Sequence, residues 1–202
     1  MTFRASFEHR DELLRAALDE FCERGFDAAS VNRILAASGV SKGQLYHHFA
    51  SKEDLYLALV EWAMDEKAAW FATHQPPPAE GDDLVDTLGT LLRATLVFAA
   101  AHPDVDRLSR ALLAERGRPI FDEVTRRFAF DPASAIGTLV AERHRNGALQ
   151  AGLDVAFVQR VVLLLVNHAP DLLDLRRPAD LDAGLDQLLA LLRNGLTRRT
   201  PT

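Results

Sequence analysis

Apolar residues in this chain recur at intervals of three and four, and glycine or proline closes almost every such run. Sustained period-two alternation and a fixed-length repeat are both missing. A half-buried strand needs side chains that alternate between faces, so the expected fold is all-α. The first helix is expected over 10–24, with Leu14, Leu18 and Phe21 on one stripe, Gly25 as a left-handed stop and Phe26 folding back over its end. A second runs from Ser30 to near Gly39 with Val31, Ile34 and Leu35 inward. Ser41-Lys42-Gly43-Gln44 fits a capping box that opens a third helix, whose Leu45 and Phe49 face inward. Ser51-Lys52-Glu53-Asp54 opens a fourth that carries Leu55, Ala58, Leu59 and Trp62 on one face and continues past Trp70. His74-Gln75-Pro76-Pro77-Pro78 cannot remain helical, and the domain junction belongs there. Further helices are expected near 82–101, 104–115, 119–129, 132–146, 154–168 and 180–198, with Pro119 and Pro132 in first turns and Gly147 as a stop.

With 202 residues, 48% hydrophobic and 26% charged, the chain can bury a substantial core, which argues against disorder. Apolar runs such as Val161–Val166 fall short of the roughly 20 residues that span a bilayer, and Thr2–Arg10 lacks a signal-peptide apolar region. The expectation is a cytoplasmic protein with no membrane partner. Cys22 is the single cysteine, so neither a disulfide framework nor a thiolate zinc cluster is available within one chain; beside Leu18 and Phe21 it reads as a core thiol.

A net charge of −6 is unpromising for a polyanion partner, but its distribution matters more than its sum. Residues 1–53 hold seven basic and eight acidic side chains, and the remaining acidity is C-terminal. From Ala28 to Ser51 there is no carboxylate, while Arg33, Lys42 and adjoining Lys52 are positive and His47 and His48 lie close by. That window suits an anionic partner. Ser30–Phe49 also has the layout of a helix-turn-helix, two short helices joined by a glycine-containing turn, of which the second can enter a major groove. Any small three-helix bundle can show the same layout.

The stretch Ala37-Ser38-Gly39-Val40-Ser41-Lys42-Gly43-Gln44-Leu45-Tyr46-His47-His48-Phe49-Ala50-Ser51-Lys52-Glu53-Asp54-Leu55 closely resembles the DNA-binding signature of the tetracycline-repressor-like (TetR) regulators. The resemblance covers roughly residues 10–60; beyond that only length and helicity agree. Leu35 stands where the family often has alanine, and Gln44 where it often has threonine, so operator sequence does not transfer from relatives. The resemblance implies a three-helix DNA-binding domain over 1–52, a connecting helix over 53–75 and a ligand-binding and dimerisation domain over 80–202.

The candidate DNA-binding residues are Ser30, Asn32, Arg33, Lys42, Gly43, Gln44, Tyr46, His47, His48 and Lys52. Gly43 either lets the backbone approach a duplex or is simply a tolerated first-turn glycine. Gln44 can read an adenine edge, with its capping role competing for the same amide. Tyr46 resembles the family's phosphate contact, and Lys42 and Lys52 offer charge to flanking phosphates. His47 and His48 can donate to phosphate or base; adjacent on a helix, they point apart and imply no metal. Ser30, Asn32 and Arg33 belong to the helix that crosses the backbone, Ser30 more as an N-cap than as a contact and Arg33 as the better phosphate ligand.

One reading head covers few base pairs, so two copies on a double-stranded operator are expected. By resemblance, helices near 154–168 and 180–198 from each chain would form the homodimer, consistent with their excess apolar surface: Val155, Val158, Val161, Val162 and Leu165 on one, the seam Leu185, Leu188, Leu189, Leu192 and Leu196 on the other. A small-molecule effector is expected among the helices between Asp82 and Asn146, acting through the fourth helix. Leu91, Leu92, Phe98, Phe121, Phe128 and Val162 are its candidate apolar lining, with His102, Arg107, Arg110, Asn167 and His168 as polar partners. Each is equally explained as core. The sequence contains no nucleophile elbow, His-Glu-x-x-His, phosphate loop or dinucleotide fingerprint, so no enzyme and no cofactor are expected. The combined expectation is a ligand-responsive transcription regulator, with repression as the family's commoner habit. The alternative is a helical dimeric ligand-binding protein that does not bind DNA.

Overall fold

The computed structural model describes residues 3, 6–74, 83–128, 134–147, 149–150, 152–173 and 178–196. Ten helices follow one another through them: α1 (Arg10–Ala28), α2 (Val31–Ser38), α3 (Lys42–His48), α4 (Lys52–His74), α5 (Leu84–Ala101), α6 (Pro103–Ala114), α7 (Pro119–Phe128), α8 (Ser134–Arg145), α9 (Val155–Leu172) and α10 (Pro178–Leu196). No strand occurs among the described residues. The all-α expectation holds, with helix ends within a few residues of those read from Gly and Pro. Pro119 opens α7 and Gly147, at φ 69°, follows α8; the expected Pro132 and the junction at 75–80 lie outside the described residues.

Two compact units form, Met1–Ala69 with His102–Phe130, and Trp70–Ala101 with Asp131–Thr202. Helices α6 and α7 pack in the first unit. There Arg107 pairs with Asp19 of α1, and the carboxylate of Glu115 accepts the Phe26 N–H at 2.8 Å.

The core of the first unit is Leu13, Leu18, Phe21, Ile34, Leu45, Phe49, Leu55, Tyr56 and Leu59, all 2% exposed or less. Each such side chain contributes about 1.5–3 kcal/mol by leaving water. Gly25 breaks α1 at φ 71°, a backbone that favours glycine, and a Cβ there would displace the Glu115 carboxylate, whose Oε1 would lie 2.8 Å away. One further turn, to Ala28, follows the break where the sequence predicts a stop. Phe26 does fold back, its ring parallel to that of Phe21 and edge-on to Tyr56.

In the second unit α5 is the central helix. Leu84 and Leu88 meet Val140, Val158 and Val162 in one core, while Val85, Leu92 and Leu96 meet Leu185, Leu188 and Leu192 in another. Buried on both sides, α5 is apolar enough in length and composition to pass for a membrane span, with mean hydropathy 1.5 over 18 residues, a run longer than any picked out in the sequence. Its packing against α8, α9 and α10 accounts for that composition.

Candidate nucleic-acid interface

The expected capping box is present. Gln44 N–H donates to Ser41 Oγ at 3.2 Å, and Ser41 N–H donates to Gln44 Oε1 at 2.9 Å, so α3 begins with its first orphan donors satisfied. Gly39, at φ 71°, closes α2 and turns the chain toward Ser41. Leu45 and Phe49 anchor α3 from beneath, leaving Lys42, Gly43, Gln44, Tyr46 and His47 exposed on its outer surface. Tyr46 is 44% exposed, and Lys42 Nζ lies 5.9 Å from its ring centroid, the two being four residues apart on one face. The Gln44 carbonyl is committed to the cap, which leaves its NH2 as the group it can turn outward.

His48 is turned from His47 toward the protein, stacked on Phe7 at 4.2 Å with the planes at 25°. Partial burial, then the neighbouring His47, holds its pKa below the ordinary imidazole value. Phe3, fully buried, packs on Phe49 at 5.2 Å, and Arg10 Nε donates to the Phe3 carbonyl at 2.7 Å. The N-terminal segment therefore braces the end of α3. Sequence reading missed Phe3 and Phe7, although two aromatics in an otherwise polar leader were the available signal.

The start of α2 differs from expectation. Ser30 occupies the N-cap position, but its side chain makes no cap bond; its backbone N–H donates instead to Glu20 Oε1 at 2.7 Å. Arg33 donates to the same carboxylate through Nε and Nη2, at 2.8 and 2.6 Å, and Nη2 also donates to the Ala28 carbonyl at 2.9 Å. The Arg33 hydrogen bond, more than any other influence, holds the Glu20 carboxyl below its ordinary range. Glu20 lies seven residues after Leu13 and three after Ala17, a carboxylate on a buried face; that placement was a legible sign of a bound cation. Asn32 is exposed nearby.

Lys52 is engaged by the protein too, whereas Arg33 reaches its buried partner from an exposed position. The Lys52 ammonium donates to the carbonyls of Phe26, Asp27 and Ala29 at 2.8, 3.1 and 3.3 Å and sits 4.6 Å over the Phe26 ring. Three donors meet the orphan carbonyls where α1 ends. Among the ten candidates, then, Lys42, Gly43, Gln44, Tyr46 and His47 share the outer surface of α3, while Arg33 and Lys52 are engaged within the fold.

The candidate effector residues are divided between the two units. Leu92 and Val162 fill separate cores, with Leu91 beside the second, and Phe98 packs edge-on to Trp70. His102 precedes α6, Arg107 and Arg110 pair with Asp19 and Asp106, Phe121 lies under Arg116, and Phe128 ends α7, all in the first unit. His168 is exposed on α9, and the Asn167 side chain lies outside the described residues. The second unit carries a groove with a different lining, which includes Trp70, Thr90, Arg93 and Leu189. Among the described residues no group of three His, Cys, Asp or Glu side chains could hold a metal ion. Cys22 is half-buried, and burial pushes its thiol pKa up.

Residues 13–59 match the family model for bacterial regulatory proteins of the tetR family. The HTH-type transcriptional activator FasR of Mycolicibacterium smegmatis is 47% identical over 58 residues, 29% of this chain and 26% of FasR. The chain thus spans about a quarter of the length of the curated relatives it matches. A TetR family transcriptional regulator of Chloroflexus aurantiacus J-10-FL superposes with a TM-score of 0.79 at 26% identity, covering 98% of this chain and 97% of that one. AibR, solved with isovaleryl coenzyme A and operator DNA, superposes at 0.66 with 20% identity over 91% of this chain and 97% of its own, a likeness of fold. Residues 13–59 thus match the helix-turn-helix model of the tetR family, and the fold along the described residues is similar to that of a solved TetR family regulator.

Proposed function

We propose that the protein is a ligand-responsive transcription regulator that binds a palindromic DNA operator as a homodimer through α3. The observation that carries this reading is the outer surface of α3: a pre-capped helix held by buried Leu45 and Phe49, presenting Lys42, Gly43, Gln44, Tyr46 and His47 with no carboxylate among them. Lys42 and the Tyr46 hydroxyl would meet phosphates, and the Gln44 NH2 would meet a base edge. Phe157 and Leu164 on α9 and Leu191 on α10 are more than half exposed, which supports these two helices as the dimer surface. An effector that favours one state by about 1–3 kcal/mol would change operator affinity roughly 5–150-fold. Repression is the default reading, although FasR is named an activator.

Fluorescence anisotropy with the DNA upstream of the protein's own gene tests the proposal. About six phosphate contacts per dimer predict a loss of roughly a thousandfold in affinity between about 50 and 200 mM salt. Gln44→Ala is expected to relax preference at one base pair per half-site and to leave the salt slope intact. A salt-insensitive complex, or no complex at all, removes DNA binding from the reading and leaves the helical ligand-binding alternative.

A further inference from the structure

We propose that the groove between α5 and α10 in the second unit binds a small organic anion with a flat apolar body, an aromatic carboxylate in class. The groove is open to solvent and offers about 660 Å³, a volume within the range of small-molecule sites. Thr90, Arg93, Ala94 and Val97 form its floor; on α5 their spacings of three and four put them on one face, and Leu189 of α10 lies opposite.

The apolar part of the site is a pair of flat rings at the end of α4. His74 lies parallel to Trp70 at 4.5 Å with a 4° interplanar angle, and its Nδ1 is 2.9 Å from the Trp70 carbonyl and 2.7 Å from Thr73 Oγ1. Phe98 supports the indole edge-on at 5.5 Å. A flat ring system matches such a wall better than a flexible chain does, since stacking adds to burial without further ordering of side chains. Val97 is 48% exposed, so an occupant would remove apolar surface that now faces water.

Arg93, the cation of the lining, is the group that would receive an anion. The Asp86 carboxylate at one end shares Arg193 with Asp83, at 2.7 Å from Asp86. Arg93 pairs with Asp182, whose side chain is 70% exposed, and a pair so open to water holds its partner weakly. The guanidinium can therefore trade this partner for a ligand carboxylate in a two-bond fork, less exposed to solvent, with the Thr90 hydroxyl one turn earlier as a further donor.

The inference deepens the effector part of the function proposed above, and binding can be measured without DNA. The full chain is titrated calorimetrically with 2-naphthoate and, as a neutral counterpart, 2-naphthalenemethanol. Naphthoate is expected to saturate below about 1 mM, to bind roughly tenfold more tightly than the alcohol, and to lose that advantage in Arg93→Gln. Ala94→Trp, which fills the groove, should abolish both; if it does not fold, Val97→Glu at a half-exposed position should repel naphthoate. Failure to saturate, an Arg93→Gln effect equal for both probes, or dissociation of the dimer by Ala94→Trp would overturn the proposal. Saturation with unchanged operator affinity upholds the site and removes only its role as the effector site.

Discussion

Two sets of cations in the first unit have the same chemistry and opposite fates. Arg33 lies on α2 and Lys52 at the head of α4, and each finds acceptors in the protein: a buried carboxylate for one, three carbonyls at the end of α1 for the other. Lys42 lies on α3, along the ring of its own helix's Tyr46, on a surface that nothing acidic shares. A charge count treats the three alike. What separates them is the burial of the groups they meet, because a carboxylate or an orphan carbonyl taken out of water must find a donor, whereas a solvated face makes no such demand.

The largest effect expected from this contrast is on the inward side. Glu20→Ala removes the acceptor of the Ser30 N–H and the partner of Arg33, and is expected to cost about 1–3 kcal/mol in urea unfolding at neutral pH. Because its folded pKa lies below the ordinary 4.5, Glu20 contributes stability that is present above that value and is lost as pH falls through the folded one. The stability gap between wild type and Glu20→Ala should therefore narrow below about pH 4.5. A gap that stays constant through the acid range would mean that the ion pair does not bear on folding.

The next prediction sets one lysine against the other. Lys52→Met keeps the aliphatic stem but loses three bonds to carbonyls; discounted for partial exposure, the expected loss is about 1–2 kcal/mol of stability with little direct change in salt dependence on DNA. Lys42→Met is expected to change stability by less than about 0.5 kcal/mol, while the salt slope of operator binding falls by about two per dimer. Reversed results would make Lys52 the phosphate ligand and Lys42 the structural one.

The order of helices, their ends and the α3 capping box were legible because each depends on residues within one turn of another: Ser41 with Gln44, Gly39 after Ser38, Pro119 at a helix start. The fate of Arg33 was not legible from its own surroundings, because its partner lies thirteen positions back on a different helix. Ser30 misled for the same reason; a remote carboxylate took its N–H while its hydroxyl made no cap bond. The affiliation of α6 and α7 was hidden too, since it rests on pairs such as Arg107 with Asp19 that no local pattern announces. The groove on α5 was not legible because its lining mixes small, polar and aromatic residues from separate helices, whereas the large apolar residues of α5 fill the cores.

Gly43 offers the smallest effect and the cleanest separation of the inward and outward readings. A Cβ added there meets nothing within 4 Å, so neither packing nor space inside the protein requires glycine. Its backbone is helical, where glycine costs roughly 0.5–1 kcal/mol relative to alanine, less near a helix start. Gly43→Ala should therefore raise the unfolding free energy by a few tenths to about 1 kcal/mol. If the glycine is there so that α3 can approach a duplex closely, the same substitution should weaken operator binding even as it stabilises the free protein. Stabilisation with unchanged operator affinity would leave Gly43 a tolerated first-turn residue and shift recognition to Lys42, Gln44 and Tyr46 alone.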